Sequence, residues 1–566
     1  MRRPHIVLVS MILATSMLLT MAIPAIAADK AVMKVIAKGA PIHGANGLYF
    51  DDNDNLYIAS YFGREILVMN PLNGKIINRL GPDPEEDLEG VHGGDDLTFG
   101  PDGSLYWTDL THGLVCRMTP NGEITKQLVA PGVNPITFSD DGRLFVALDF
   151  MGDGLYELDP NLVDPPTPLI VANASIPFPL GFLNGFDFGP DGRLYGPLFA
   201  LGLVVSINVD DITAPTSDPW GDGYINIVAT GFEVPSAAKF NSKEQLHVLD
   251  SHTGQVLQVN TSNGNKKVIA KLSPGIDNLA FDSQDNLYVS NANDGSVTRV
   301  LPNGQGRTLS PGGMMIPGGI AALSGPDGKD HLYVGDILTL REYDGLTGKD
   351  MGFTSGSLVG ESGSLAGAMS VSTDDGNLVI STYLTGKIQV WNPATKQVLE
   401  EYSRPAEFPV NAIRFQDDLV VALPYNGVVW ASSGYILEFP DVISPTGLAV
   451  IDESLLIVDR DSGILWRVDF DGKTPTSTTL IASGLSAPEG IALDIDGSLL
   501  IVEAGAGRLS RINLDTGNVS IVAEDLKLGA PGMLSWQFND VTVGPSGAIY
   551  ITGDIDNVIY RIWPRK

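Results

Sequence analysis

The sequence predicts an all-β protein made of two six-bladed β-propellers in tandem. Three observations lead there. A unit of about 45 residues recurs along the chain. Turn-forming residues stand at fixed places inside each unit, and helical periodicity is weak throughout.

Each unit opens on a short apolar strand, passes an Asp/Gly/Asn turn, and continues into a strand of the form Leu-Tyr-Val. Asn46-Gly47-Leu48 leads to Leu56-Tyr57-Ile58, as Asp95-Asp96-Leu97 leads to Leu105-Tyr106-Trp107 and Glu489-Gly490-Ile491 to Leu499-Leu500-Ile501. The residue before the first strand marks each unit, at positions 46, 95, 134, 184, 236, 277, 318, 367, 411, 446, 489 and 539. Pro101-Asp102-Gly103 and Pro190-Asp191-Gly192 join first strands to second. Asn73-Gly74, Asn121-Gly122 and Asp471-Gly472 join third strands to fourth. A four-stranded sheet cannot bury both faces alone, so the units must stack around an axis.

The last unit ends on its third strand, at Ile559 to Trp563, while Val32 to Ala37 offers a spare strand. In a tandem, that spare strand closes unit six beside Val297–Leu301, and Arg307-Thr308-Leu309 closes unit twelve. The propellers then span 28–303 and 304–566. The alternative is one twelve-bladed ring, closed by residues 32–37 on unit twelve.

Residues 1–27 have the features of a signal peptide. Arg2 and Arg3 precede an apolar run from Ile6 to Ile23, and Ala25-Ile26-Ala27 is a small-residue cleavage site. A retained anchor is the rival. No later run has the ~20 apolar residues of a spanning helix, so a secreted or periplasmic protein without stable membrane insertion is expected. The net charge of −32 disfavours nucleic acid and anionic lipid as partners and would concentrate cations. Cys116 is the only cysteine, cannot form an internal disulfide, and sits in an apolar-alternating run expected to bury it.

Marker residues converge on the propeller axis, one from each blade. In the first half they are Asn46, Asp95, Asn134, Asn184, Ser236 and Asp277; in the second, Gly318, Gly367, Asn411, Thr446, Glu489 and Asn539. Oxygen donors gathered this way suit a hard divalent cation such as Ca²⁺, although each could instead bond its own turn. A second column ends the second strands: Ser60, Asp109, Asp250, Asn291, Asp336, Asp459 and Glu503. Bonds to neighbouring loops are its ordinary use. Asp109 and Asp250 are candidate general bases, because His112 and His252 follow them. His43 and His92 lie in loops on the same face and are further candidates for proton shuttling or for ligating a softer metal.

The phrases Leu183-Asn184-Gly185-Phe186, Gly275-Ile276-Asp277-Asn278-Leu279, Pro488-Glu489-Gly490 and Phe538-Asn539-Asp540-Val541 resemble the SMP-30/gluconolactonase/LRE group and its NHL-repeat relatives. That resemblance implies a divalent cation held in a propeller channel by Glu, Asn and Asp from different blades. It also implies hydrolysis of a small-molecule lactone or ester with help from a carboxylate. The matching positions are Asn184 and Asp277 in the first half, and Glu489 and Asn539 in the second. Neither half has the full set in the family's order, and the first lacks the Glu-Gly start unless Glu89-Gly90 supplies it. A streptogramin-lyase-like enzyme using a metal and a histidine base is one alternative. An exported, non-enzymatic platform for a protein or glycan, with a structural metal, is another.

Overall fold

A computed structural model describes residues 32–81, 90–356, 363–404, 407–437, 442–530 and 538–563. The predicted signal peptide and Glu89 lie outside them. The described residues form twelve four-stranded antiparallel sheets with two single-turn 3₁₀ segments, Val209–Asp211 and Ala504–Ala506, and no α-helix. No helix among them is long and apolar enough to cross a membrane.

Local chemistry sets each blade. In the second, Gly94–Phe99, Leu105–Asp109, Leu114–Met118 and Ile124–Leu128 pair in chain order. The Pro101-Asp102-Gly103 turn between the first two carries its glycine at φ 76°, a conformation that a side chain would strain. The second strand is buried along its length and the fourth is half-buried to exposed, so apolar burial falls from axis to rim. Cys116 is buried with Trp107 and Leu97 between adjacent blades, and burial pushes its thiol far above the usual range.

Neighbouring blades make two circuits of six. First strands pack against each other around blades one to six, with Ala45–Phe50 against Ile276–Phe281, and again around blades seven to twelve, with Ile320–Ser324 against Val541–Val543. Hydrogen bonds stitch both junctions: Ser290 Oγ donates to Asn46 O at 2.6 Å, and Thr552 Oγ1 donates to Gly318 O at 2.5 Å.

Strand closure corrects the expectation. Val32–Lys38 pairs with Val558–Trp563 and completes blade twelve. Gly306–Ser310 stays on blade six, paired with Val297–Val300. The local hairpin closes a loop of only a few residues and costs the least chain entropy. The open edge of blade twelve is then filled from the start of the chain. Residues 32–38 therefore belong with the second circuit and 304–310 with the first, against the boundaries read from sequence.

The circuits touch through loops of the marker face. Phe62 of blade one is buried among Met315, Ile337, Met369 and Tyr383. His43 Nε2 lies 3.1 Å from Asp554 O, and Arg341 Nη2 donates to Asn293 O at 2.9 Å.

Candidate functional site

The mouth of the first circuit gathers carboxylates. Asn46 Nδ2 donates to Asp95 Oδ1 at 2.6 Å, and Asn134 Nδ2 to Asp149 Oδ2 at 2.8 Å. Each aspartate thus has one oxygen on an amide, and its other oxygen, Asp95 Oδ2 or Asp149 Oδ1, is buried without a partner. Asp95 is 2% exposed and Asp149 is fully buried. Burial raises both well above the usual carboxylate range, and mutual repulsion with Asp277 adds to it. Asp277 itself is pushed up to about 7 by burial and then by Asp96, while Lys239 pulls the other way.

Beneath this layer Asp96 accepts from Asn278 Nδ2 at 3.0 Å and from Ile136 N at 3.2 Å, tying blades two, three and six together. The remaining markers do less. Asn184 Oδ1 accepts from Gly185 N at 2.7 Å, its own turn, and Ser236 Oγ donates to Ile276 O at 3.2 Å.

Six of the seven second-column residues are clamps. Asp250 accepts the N–H groups of Glu233 and Val234 at 2.9 and 3.3 Å. Asp336 holds Met315 and Ile316, Asp459 holds Ile443 and Ser444, and Glu503 holds Ser486. Ser60 and Asn291 donate to the same loop position. The structure does not bring Asp250 and His252 together: His252 is largely exposed, with Nε2 3.3 Å from Glu233. Asp250 is a loop anchor because its oxygens are spent on backbone N–H groups.

Asp109 departs from the pattern. Its Oδ2 lies 2.6 Å from His92 Nδ1 and 2.8 Å from His112 Nδ1. These bonds outweigh burial and hold Asp109 down at about 2. An ionised carboxylate only accepts, so both Nδ1 atoms carry the proton and Nε2 is the basic nitrogen of each ring. His92 is fully buried with Nε2 unpartnered, while His112 is about one-third exposed. The ligand atoms of His92, Asp109 and His112 lie within 4.8 Å of one another, so the trio could hold a metal ion. Gly93 makes room for it: a Cβ there would stand 2.4 Å from the Asp109 carboxyl carbon.

The second circuit is built differently. Glu489 Oε2 accepts from Asn539 N at 2.7 Å, while Arg460 Nε lies 3.3 Å from Oε1. Burial raises Glu489 to about 8, Asp554 adds to the rise, and Arg460 opposes it. Asn539 Oδ1 accepts from Gly529 N at 2.9 Å, and Asn411 Oδ1 from Ser370 Oγ at 3.4 Å. Ile316, Ile337, Met369 and Phe538 wall this mouth, leaving a cavity of about 10 Å³ with Asp554 at its edge. That is room for about one water.

Sequence reasoning missed Asp149, which follows the second strand of blade three instead of opening a first strand. The signal was its position beside a second acid in Asp149-Phe150-Met151-Gly152-Asp153.

Residues 97–335 match the model of the SMP-30/Gluconolactonase/LRE-like region. The region runs from the first strand of blade two into the second strand of blade seven, and so includes Asp109, His112, Asp149 and Asp277 but not Glu489 or Asn539. No curated protein matches the sequence. Among solved structures, virginiamycin B lyase from Staphylococcus aureus is 15% identical, covers 54% of this chain and 96% of its own, and has a TM-score of 0.36. The extracellular domain of a putative one component system, BT4673, from B. thetaiotaomicron is 12% identical, covers 92% of this chain and 76% of its own, and has a TM-score of 0.33.

Proposed function

We propose that this is an exported, metal-dependent hydrolase of a lactone or ester, with its site at the mouth of the first circuit. One observation carries the proposal: Asp95 and Asp149 each bury an unpartnered oxygen there, and each is raised by the other acids at the mouth. All-oxygen donors suit a hard cation such as Ca²⁺. Asp95 and Asp149 would offer it those two oxygens, with the Asn46 and Asn134 amides orienting them and the Asp277 charge adding to the attraction. When bound, the cation supplies Lewis-acid polarisation of a carbonyl oxygen.

The chain's own residues supply the proton chemistry. His112 takes a proton from water at Nε2. Asp109 fixes its tautomer and stabilises the imidazolium that forms. The buried His92 orients Asp109 from the other side. The test is turnover of a lactone and ester panel with Ca²⁺ and with a chelator. Chelator-sensitive turnover that adds water and vanishes in Asp277→Ala supports the proposal; no turnover with Ca²⁺ present rejects it.

The tight His92–Asp109–His112 group favours a second reading, a lyase in which His112 removes a carbon-bound proton. An unsaturated product formed without water uptake would identify it. If that trio instead holds a softer cation, the purified protein should contain zinc, lost in His112→Ala.

A further inference from the structure

We propose that a platform of phenylalanines on the rim of blades three and four binds an aryl group of the substrate. This rests on the hydrolase reading and narrows its substrate class from any lactone or ester to an aryl one. Phe150 stacks on Phe182, with centroids 5.6 Å apart and planes at 25°, and meets Phe199 edge-on at 5.4 Å. Phe178 meets Phe182 edge-on at 5.4 Å. This is not a buried core: Phe178 is 59% exposed and Phe150 38%. Phe150 and Phe182 also hold φ at 52° and 66°, the left-handed region that bulky side chains rarely adopt. Strained backbone that presents rings to solvent is a feature of binding sites more than of packing.

The platform is continuous with the polar mouth. Phe150 directly follows Asp149, and Phe182 lies two residues before Asn184. Asp153 Oδ2 accepts Leu180 N at 2.8 Å and Gly181 N at 2.7 Å, locking the loop of Phe178 and Phe182 to that of Phe150. Trp220 Nε1 donates to Pro179 O at 3.0 Å and braces the far side. Phenylalanine offers no hydrogen-bonding group. The hydroxyls of a polyhydroxylated lactone therefore find no partner on these rings, while an aryl ring gains stacked and edge contacts.

Two measurements on the full chain test this. The first is calorimetric titration with 2-naphthol, which cannot be hydrolysed, on the wild type, Phe178→Ala and Phe150→Ala. Phe178 is exposed enough for its variant to fold normally, which an unchanged Tm checks. The expected result is binding to the wild type, weakened about tenfold in each variant. The second is the ratio of kcat/KM for dihydrocoumarin over γ-butyrolactone, expected to fall about tenfold in the same variants. No 2-naphthol binding, or binding unaltered in both variants, overturns the platform. Platform-dependent binding without turnover of any ester keeps the platform and rejects the hydrolase. Turnover whose ratio is unmoved by both variants keeps the hydrolase and rejects the platform.

Discussion

At the mouth of the first circuit, Asp96 N donates to Thr108 Oγ1 at 3.1 Å while the Asp96 carboxylate accepts from Ile136 N on the next blade. At the second, Asp540 N meets Thr552 Oγ1 at 3.0 Å and the Asp540 carboxylate reaches Ile320 N. Gly47 and Gly490 leave room in the same way, for a Cβ at either would overlap Asp96 or Asp540. The two rings thus share one frame, in which a buried acid accepts a backbone N–H from the first strand of the next blade. They differ in what stands above it. The first places Asp95, Asp149 and Asp277 there. The second has Gly318 and Gly367 in its marker column, sets Arg460 against Glu489, and walls the mouth with Ile316, Met369 and Phe538. A fold repeat fixes the strands, while the charge balance at the axis differs from ring to ring.

The sharpest way to break this comparison is to neutralise one acid in each ring. Asp95→Asn should cost activity on the order of a thousandfold, because Lewis-acid polarisation contributes several kcal/mol to such barriers. Glu489→Gln should leave turnover near wild type. Equal losses in steady-state assays would remove the distinction between the rings. Next in size, His112→Ala should lower kcat/KM by about 10²–10⁴, the range for a lost general base. Its pH–rate profile should lose the limb that a titrating base produces.

Arg460→Met sharpens the comparison from the other side. Without the guanidinium, Glu489 and Asp554 should draw in a cation, raising the retained metal toward two per chain. Elemental mass spectrometry checks this.

A smaller effect concerns pH. Asp277 titrates near 7 in the folded protein, against about 4 when unfolded. The folded state then binds more protons between those values, so stability of the cation-free protein falls as pH rises through 7. Its Tm should drop by about 5 °C from about pH 5.5 to about pH 8.5, and added Ca²⁺ should restore it at the higher pH. A Tm flat with pH in chelator would contradict the buried charges at the mouth. Least of all, Asp250→Asn should cost about 1–2 kcal/mol through the lost clamp, with turnover retained, by denaturant melts and assay together.

Much of the fold was legible because its signals are local. Alternating strands and Asp-Gly or Asn-Gly turns repeat within each unit, and the register of the repeat places Asp95 and Asp277 at the axis. Closure was not legible. Val32–Lys38 fits either open edge equally well by pattern, and blade twelve receives it because the local hairpin of Gly306–Ser310 already closes blade six. Asp149 escaped because it sits just after the second strand of its blade, whereas Asp95 and Asp277 sit in first strands. The Asp109–His112 pair could be read from its three-residue spacing. His92, 17 residues from Asp109, was visible only as one rim histidine among several. Asp250 and His252 show the limit of spacing alone: nearly the same separation leads to a loop anchor and a solvent-facing ring.

The central claim is that the first circuit holds the cation. Metal content of the purified protein tests it most directly, by elemental mass spectrometry after mild dialysis, on the wild type, Asp95→Asn and Glu489→Gln. The account predicts about one divalent ion per chain in the wild type and in Glu489→Gln, and none in Asp95→Asn. An ion retained in Asp95→Asn but lost in Glu489→Gln would place the site in the second circuit and contradict it.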